Sequence, residues 1–199
     1  MKEVFNIIIA GVGGQGNVLA SRILARAAME QRLHVRTSEA IGMAQREGSV
    51  SSQVRIGVED VGPLVPDQKA DLILGLELAE TVRALPKLKT NGLVISNTAT
   101  ILPISVALGK STYNTEELLN FLKAKVQNIY LLNATALANR AGTYKAANIV
   151  LLGALAALNK LPFSGSNLLE VIFNSIPPKL HDINRTAFTL GVEAMGGRL

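Results

Sequence analysis

Val4-Phe5-Asn6-Ile7-Ile8-Ile9-Ala10-Gly11-Val12-Gly13-Gly14-Gln15-Gly16 is the stretch on which the fold turns. An apolar run this short, ended by glycine, reads as a buried parallel strand. From Gly16 to Arg32, Val18, Leu19, Ile23, Leu24, Ala27 and Ala28 recur at helical spacing, with Arg22, Arg26, Glu30 and Arg32 between them. A second short strand near Leu33 to Thr37 completes a strand, helix, strand opening.

Further along, a polar glycine-containing loop from Ser38 to Ser49 precedes a strand candidate from Val50 to Val58. Ala70 to Gly75 and Gly92 to Asn97 are two more strands of the buried type, joined by a helix from about Glu77 to Leu85 that stops before Pro86. Asn114-Thr115-Glu116-Glu117 opens an amphipathic helix to about Lys125, its acids complementing the helix dipole. Asn128 to Leu132 is the last strand. From Thr135 the pattern is helical, with breaks at Gly142, Pro162 and Pro177-Pro178. The expectation is one α/β domain over residues 1–199: three-layer and Rossmann-like, with a mostly parallel sheet and a helical C-terminal part.

Composition narrows the chemistry. At 199 residues, 48% hydrophobic and 18% charged, the chain is neither disordered nor fibrous. It contains no cysteine, which removes disulfides, thiolate zinc sites, a nucleophilic thiol and any iron–sulfur cluster ligated by this chain. Five Phe, three Tyr and no Trp leave little for base stacking. The net charge of +5 comes from residues 118–199, but those lysines and arginines are scattered, which suits a solvated face better than a nucleic-acid stripe. A mildly basic surface could still face an acidic protein partner. The longest apolar segment, Ile149 to Leu158, is too short for a bilayer that needs about 20 residues, and the N-terminus lacks the look of a signal peptide. A cytoplasmic protein is expected, without membrane or nucleic acid as partner.

Two segments could carry chemistry. Gly11-Val12-Gly13-Gly14-Gln15-Gly16 satisfies G-x-G-x-x-G after a strand and before a helix, where glycines let the backbone turn sharply and approach an anion at the helix N-terminus. A dinucleotide reading also needs an acid ending the second strand. Here Arg36 would suit a 2′-phosphate, and Glu39 comes slightly late. The same glycines could simply let strand, loop and helix pack tightly. The second segment, Glu39 to Val50, places Gly42, Gln45, Arg46 and Gly48 in a polar loop after a strand's carboxyl end, where open α/β sheets bind ligands.

Taken together, Gly11 to Gly16, Gly42-Met43-x-Gln45-Arg46 and Ser49-Val50-x-Ser52-x-Val54-Arg55-Ile56 resemble the gamma subunit or domain of 2-oxoacid:ferredoxin oxidoreductases, most of all its indolepyruvate branch. The resemblance continues through Ala70-Asp71-x-Ile73-Leu74 with Glu77, through Ala147 to Ala154, and through Asn184-x-x-Ala187-Phe188-x-x-Gly191. It spans nearly the whole chain. Two positions depart from the family pattern, Glu47 where a glycine is usual and Gln53 where a histidine is usual.

Such enzymes decarboxylate a 2-oxoacid on thiamine diphosphate and pass electrons through iron–sulfur clusters to ferredoxin, giving an acyl-coenzyme A. The resemblance therefore implies a cluster-free subunit, inactive alone and completed by a thiamine-diphosphate and iron–sulfur partner. No cofactor is expected on this chain by itself, no catalytic or metal-ligating residue is assigned, and a homodimer stays open. Gly11, Gly13, Gly14, Gln15, Gly16, Gly42, Gln45, Arg46, Gly48, Ser49 and Arg55 are the expected anion- or partner-binding residues. His34 and His181 are read as structural. The competing readings are a stand-alone NAD(P)- or nucleotide-binding Rossmann module and a regulatory scaffold.

Overall fold

The computed structural model describes residues 4–42, 48–57, 61–102, 106, 108–109 and 112–197. Strand β1 (Phe5–Val12) is the apolar run ending in the glycines, and it lies inside a six-stranded sheet of order β2-β3-β1-β4-β5-β6. The others are β2 (Val35–Ile41), β3 (Ser49–Ile56), β4 (Ala70–Gly75), β5 (Leu88–Asn97) and β6 (Asn128–Leu132). β1, β4, β5 and β6 pair in parallel, whereas β3 runs antiparallel to both β1 and β2.

This corrects the expected opening in one respect. β2 does run parallel to β1, but β3 sits between them, so β2 and β3 form a hairpin on the sheet's edge. The strand expected at Leu33 to Thr37 extends to Ile41, and the loop expected from Ser38 to Ser49 shrinks to the hairpin connection after Ile41. The next strand starts at Ser49 and ends at Ile56; its expected end, Val58, lies outside the described residues.

Alternation along β1 divides the core. Ile7 and Ile9 face α1 (Asn17–Glu30), α4 (Ala134–Ala141), α5 (Ala147–Ala157), α6 (Leu168–Ser175) and α7 (His181–Ala194), in a cluster that includes Ile23, Leu24, Ile149, Leu152 and Phe188. Ile8 and Ala10 face the other way, toward Ile73, Val94, Val65 and Val126 beneath α2 (Leu78–Ala84) and α3 (Thr115–Lys125). Those are the three layers.

Helix ends follow local chemistry. Asn114 Oδ1 accepts from the Glu117 N–H at 3.1 Å and Asn133 Oδ1 from Ala136 at 2.9 Å, each satisfying a donor the first turn leaves open. Apart from Asn148, α5 is apolar all round, and α7 crosses it where glycine meets backbone: a Cβ on Gly191 would come 1.9 Å from the Val150 carbonyl oxygen. Among the described residues, no helix is long and apolar enough to cross a membrane.

Candidate functional site

The helix after β1 packs on one face of the sheet and the helix after β4 on the other, which opens a crevice at the carboxyl ends of these neighbouring strands. The glycine loop fills one side of it. Gly14 (φ +89°) and Gly16 (φ +84°) adopt left-handed backbone, which L side chains rarely do. Gly11 is crowded: a Cβ there would come 2.7 Å from Gln15 Oε1 and 2.9 Å from Asn17 Oδ1.

Gln15 ties the two strand ends together. Its Oε1 accepts from the Val12 N–H at 2.9 Å, and its Nε2 donates to the Leu76 carbonyl at 3.1 Å. Asn17 donates to the Val50 carbonyl at 2.9 Å, and Asn148 to the Gly16 carbonyl at 3.3 Å, so β3 and α5 both grip the loop.

The hairpin comes to the same place. The Gly13 N–H donates to the Gly48 carbonyl at 2.9 Å, and the Gly42 N–H to the Ser49 carbonyl at 2.7 Å. Thus Gly11, Gly13, Gly14, Gln15, Gly16, Gly42, Gly48 and Ser49, distant in sequence, meet at one edge. Gln45 and Arg46 lie outside the described residues. Arg55 does not join them. It pairs with Asn6 near the other end of β1, where its Nε donates to Asn6 Oδ1 at 2.9 Å and its Nη1 to the Gly62 and Leu64 carbonyls. Its guanidinium holds the segment that follows β3.

Beside the glycine loop is a cavity of about 320 Å³, lined by Gly13, Gly14, Thr100, Thr135, Tyr144 and Lys145 among others. Lys145 gives its wall a cation, and Thr100 and Thr135 give it hydroxyls. These residues carried no signal beyond position, since Tyr144 and Lys145 sit in a short turn between two helices. Apolar side chains surround this end of the sheet, with Ile41 68%, Leu102 55% and Tyr144 60% exposed.

Two buried carboxylates stand behind the edge. Glu77, 2% exposed, caps α2 by accepting the Glu80 N–H at 2.9 Å and accepts the Tyr113 hydroxyl at 2.6 Å. Burial, followed by the hydrogen bond and charge of Glu77, pushes the Tyr113 hydroxyl far above its usual range and keeps it a donor. Glu80, 6% exposed, accepts the Ser49 hydroxyl at 2.6 Å and pairs with Arg83. The sequence offers Glu77 as the start of a helix and as part of a resemblance; its place just beyond an apolar strand is the signal for a buried role. His181, the first residue of α7, stacks on Phe173 of α6 with ring centroids 4.7 Å apart. That is a packing role.

Residues 6–194 match the family described as pyruvate ferredoxin/flavodoxin oxidoreductase. The chain is 42% identical over 196 residues to indolepyruvate oxidoreductase subunit IorB of Pyrococcus horikoshii, covering 98% of this chain and 96% of that protein. Among solved structures it is similar to the gamma subunit of a keto/oxoacid ferredoxin oxidoreductase from Geobacter sulfurreducens, with TM-score 0.69, 26% identity, and coverage of 96% of this chain and 98% of that one. The 2-oxoglutarate:ferredoxin oxidoreductase of Magnetococcus marinus, solved with 2-oxoglutarate, coenzyme A and succinyl-CoA, shares the fold at TM-score 0.70 and 21% identity over 98% of this chain, which spans 32% of that longer chain.

Proposed function

The chain belongs to the pyruvate ferredoxin/flavodoxin oxidoreductase family, and from that premise we propose that it is the cluster-free subunit of a 2-oxoacid:ferredoxin oxidoreductase acting on indolepyruvate or another 2-oxo acid. Its partner carries thiamine diphosphate and the iron–sulfur clusters, and the assembled enzyme converts the 2-oxo acid to an acyl-coenzyme A and reduces ferredoxin. The observation that best supports this is the meeting of glycine loop and hairpin, Gly13 to Gly48 at 2.9 Å, on an edge rimmed by exposed apolar side chains. Such a rimmed edge suits burial against another protein chain.

The residues of this chain do not fit the redox groups. It has no cysteine to ligate a cluster, and its described residues contain no group of three His, Cys, Asp or Glu side chains that could hold a metal ion. What it offers instead is a cavity wall of backbone, hydroxyls and Lys145, suited to an anionic group held between two subunits.

The test is reconstitution. The isolated chain should fold yet give no 2-oxo acid-dependent ferredoxin or viologen reduction, and turnover of roughly 1–1,000 per second should appear on mixing with the thiamine-diphosphate subunit. Turnover by the isolated chain at such rates would refute the proposal. The nucleotide-binding alternative is disfavoured by topology, because β3 displaces β2 from the position beside β1. Glu39 on β2 therefore lies two strand spacings, roughly 10 Å, from β1. Titration with NADH and NADPH should accordingly show no specific binding.

Arg46 is proposed to engage an anion of the assembled enzyme, a carboxylate, a coenzyme phosphate or an acidic side chain of the partner. Loss of a charge-assisted, two-pronged hydrogen bond should lower activity or assembly about 10-fold or more in both Arg46→Ala and Arg46→Lys. The melting temperature of the isolated chain should stay unchanged. Full activity and assembly of Arg46→Ala would leave it an ordinary solvated arginine.

A further inference from the structure

Glu80 is a buried carboxylate with no part in capping its own helix by side chain, since Glu77 already accepts the Glu80 N–H. Burying a charge is unfavourable unless it is paired and hydrogen-bonded. Glu80 meets that condition with one partner on its own helix and one outside it. One oxygen takes Arg83, whose side chain is largely in solvent; the other takes the hydroxyl of Ser49, 31 residues earlier, at 2.6 Å.

Ser49 is a consequential residue to hold. It is the first residue of β3 and lies opposite Val12, the last residue of β1. Its carbonyl accepts the Gly42 N–H and so closes the hairpin, while the carbonyl of the preceding residue, Gly48, accepts the Gly13 N–H of the glycine loop. The Ser49–Glu80 hydrogen bond therefore ties α2 to the point at which the backbone already joins hairpin and glycine loop. Ser49 is exposed, so packing alone does not hold it there.

We propose that Glu80 is a positioning residue: through Ser49 it sets the base of the β2–β3 hairpin against the glycine loop, so that the edge offered to the partner subunit is ordered before assembly. The proposal rests on the reading of that edge as the docking face. A chain lacking the clamp must order the hairpin base on binding, which weakens association without changing the assembled enzyme. Glu80→Gln retains an oxygen for the Ser49 hydroxyl and should rescue. Arg83→Ala removes the ion pair of a buried carboxylate and should cost some stability, but it leaves the Ser49 bond intact and should keep the half-saturating concentration within about twofold of wild type.

The experiment has two arms. In the isolated full-length chain, amide hydrogen exchange at Gly13 and Gly42 should accelerate about 10-fold or more in Glu80→Ala and in Ser49→Ala, with Glu80→Gln close to wild type. In reconstitution with the thiamine-diphosphate subunit, the half-saturating concentration of this chain should rise about 10-fold in Glu80→Ala and in Ser49→Ala, and in Glu80→Ala the maximal rate should stay within about twofold. The double variant should be no worse than either single one. A merely structural role would instead lower the maximal rate or give additive losses. Unchanged exchange in Ser49→Ala, whose exposed site tolerates alanine, overturns the clamp even where Glu80→Ala does not fold. Additive losses overturn it too. Altered exchange with no assembly of the wild-type chain upholds the clamp and overturns the docking face.

Discussion

Gly191→Val should lose about 3 kcal/mol or more of folding stability, the upper range for forcing atoms into a packed core. The obstacle is backbone. A Cβ at 191 would lie 1.9 Å from the Val150 carbonyl oxygen and 2.9 Å from the Ala154 nitrogen, and one at Gly153 would lie 2.1 Å from the Phe188 carbonyl oxygen. No rotamer change relieves these contacts, so α5 and α7 would have to separate along a seam that buries Phe188 and Val192. A gap of even 1 Å forfeits much of the dispersion energy there. Gly62→Ala supplies the control, because nothing lies within 4 Å of its added Cβ, and it should change stability by less than about 0.5 kcal/mol. Urea unfolding of both variants decides the matter; similar midpoints would mean that the helix contact is looser than described.

Gly16→Val should be comparably damaging, at about 2–6 kcal/mol, by two additive routes. The backbone at 16 has φ +84°, which strains a β-branched residue by about 1–3 kcal/mol. In addition, a Cβ would come 2.4 Å from Asn148 Nδ2, which is buried and donates to the Gly16 carbonyl. Displacing it strands a buried amide, at about 1–3 kcal/mol. Gly14→Ala separates the routes, for its φ is +89° yet its surroundings are open, so only the strain of about 1–2 kcal/mol should appear. If thermal unfolding finds the two variants alike, Asn148 does not hold the loop.

What sequence alone conveyed followed from signal strength. β1, β4 and the core of β5 are nearly continuous apolar runs, and the asparagine starting α3 is a cap with a mechanism, so these elements were readable with their neighbours. β2 was cut short because Ser38, Glu39 and Ala40 sit on an edge strand with little to bury, and so carry no hydrophobic pattern. β5 was started late because Lys89-Thr90-Asn91 looks like a turn; Asn91 does have φ +62°, but pairing with β4 resumes across a register shift. The antiparallel placement of β3 left no local trace at all, being decided by which strands meet in space.

The site divides in the same way. The glycines were visible because a left-handed or crowded backbone demands them. Arg55 was read as a binding residue because it lies in the resembling motif from Ser49 to Ile56, whereas the carbonyls that occupy it, those of Gly62 and Leu64, come from a segment that nothing in the pattern brings close. Ser49 was expected as an anion- or partner-binding residue and Glu80 only as part of a helix, and neither foretells their hydrogen bond, since a contact across 31 residues cannot be inferred from either one.

The all-round apolar character of α5 bears on how the chain is made. Synthesis delivers α5 before α7, the helix that covers it across the glycine seam, and for the seconds needed to translate the stretch from Ala157 to Ala194 the greasiest helix of the molecule has no lid. Residues 158–180 emerge first and include α6, which packs against the same core. A nascent chain stalled in that interval exposes apolar surface that the finished fold buries beneath α7, and is the more prone to aggregate for it.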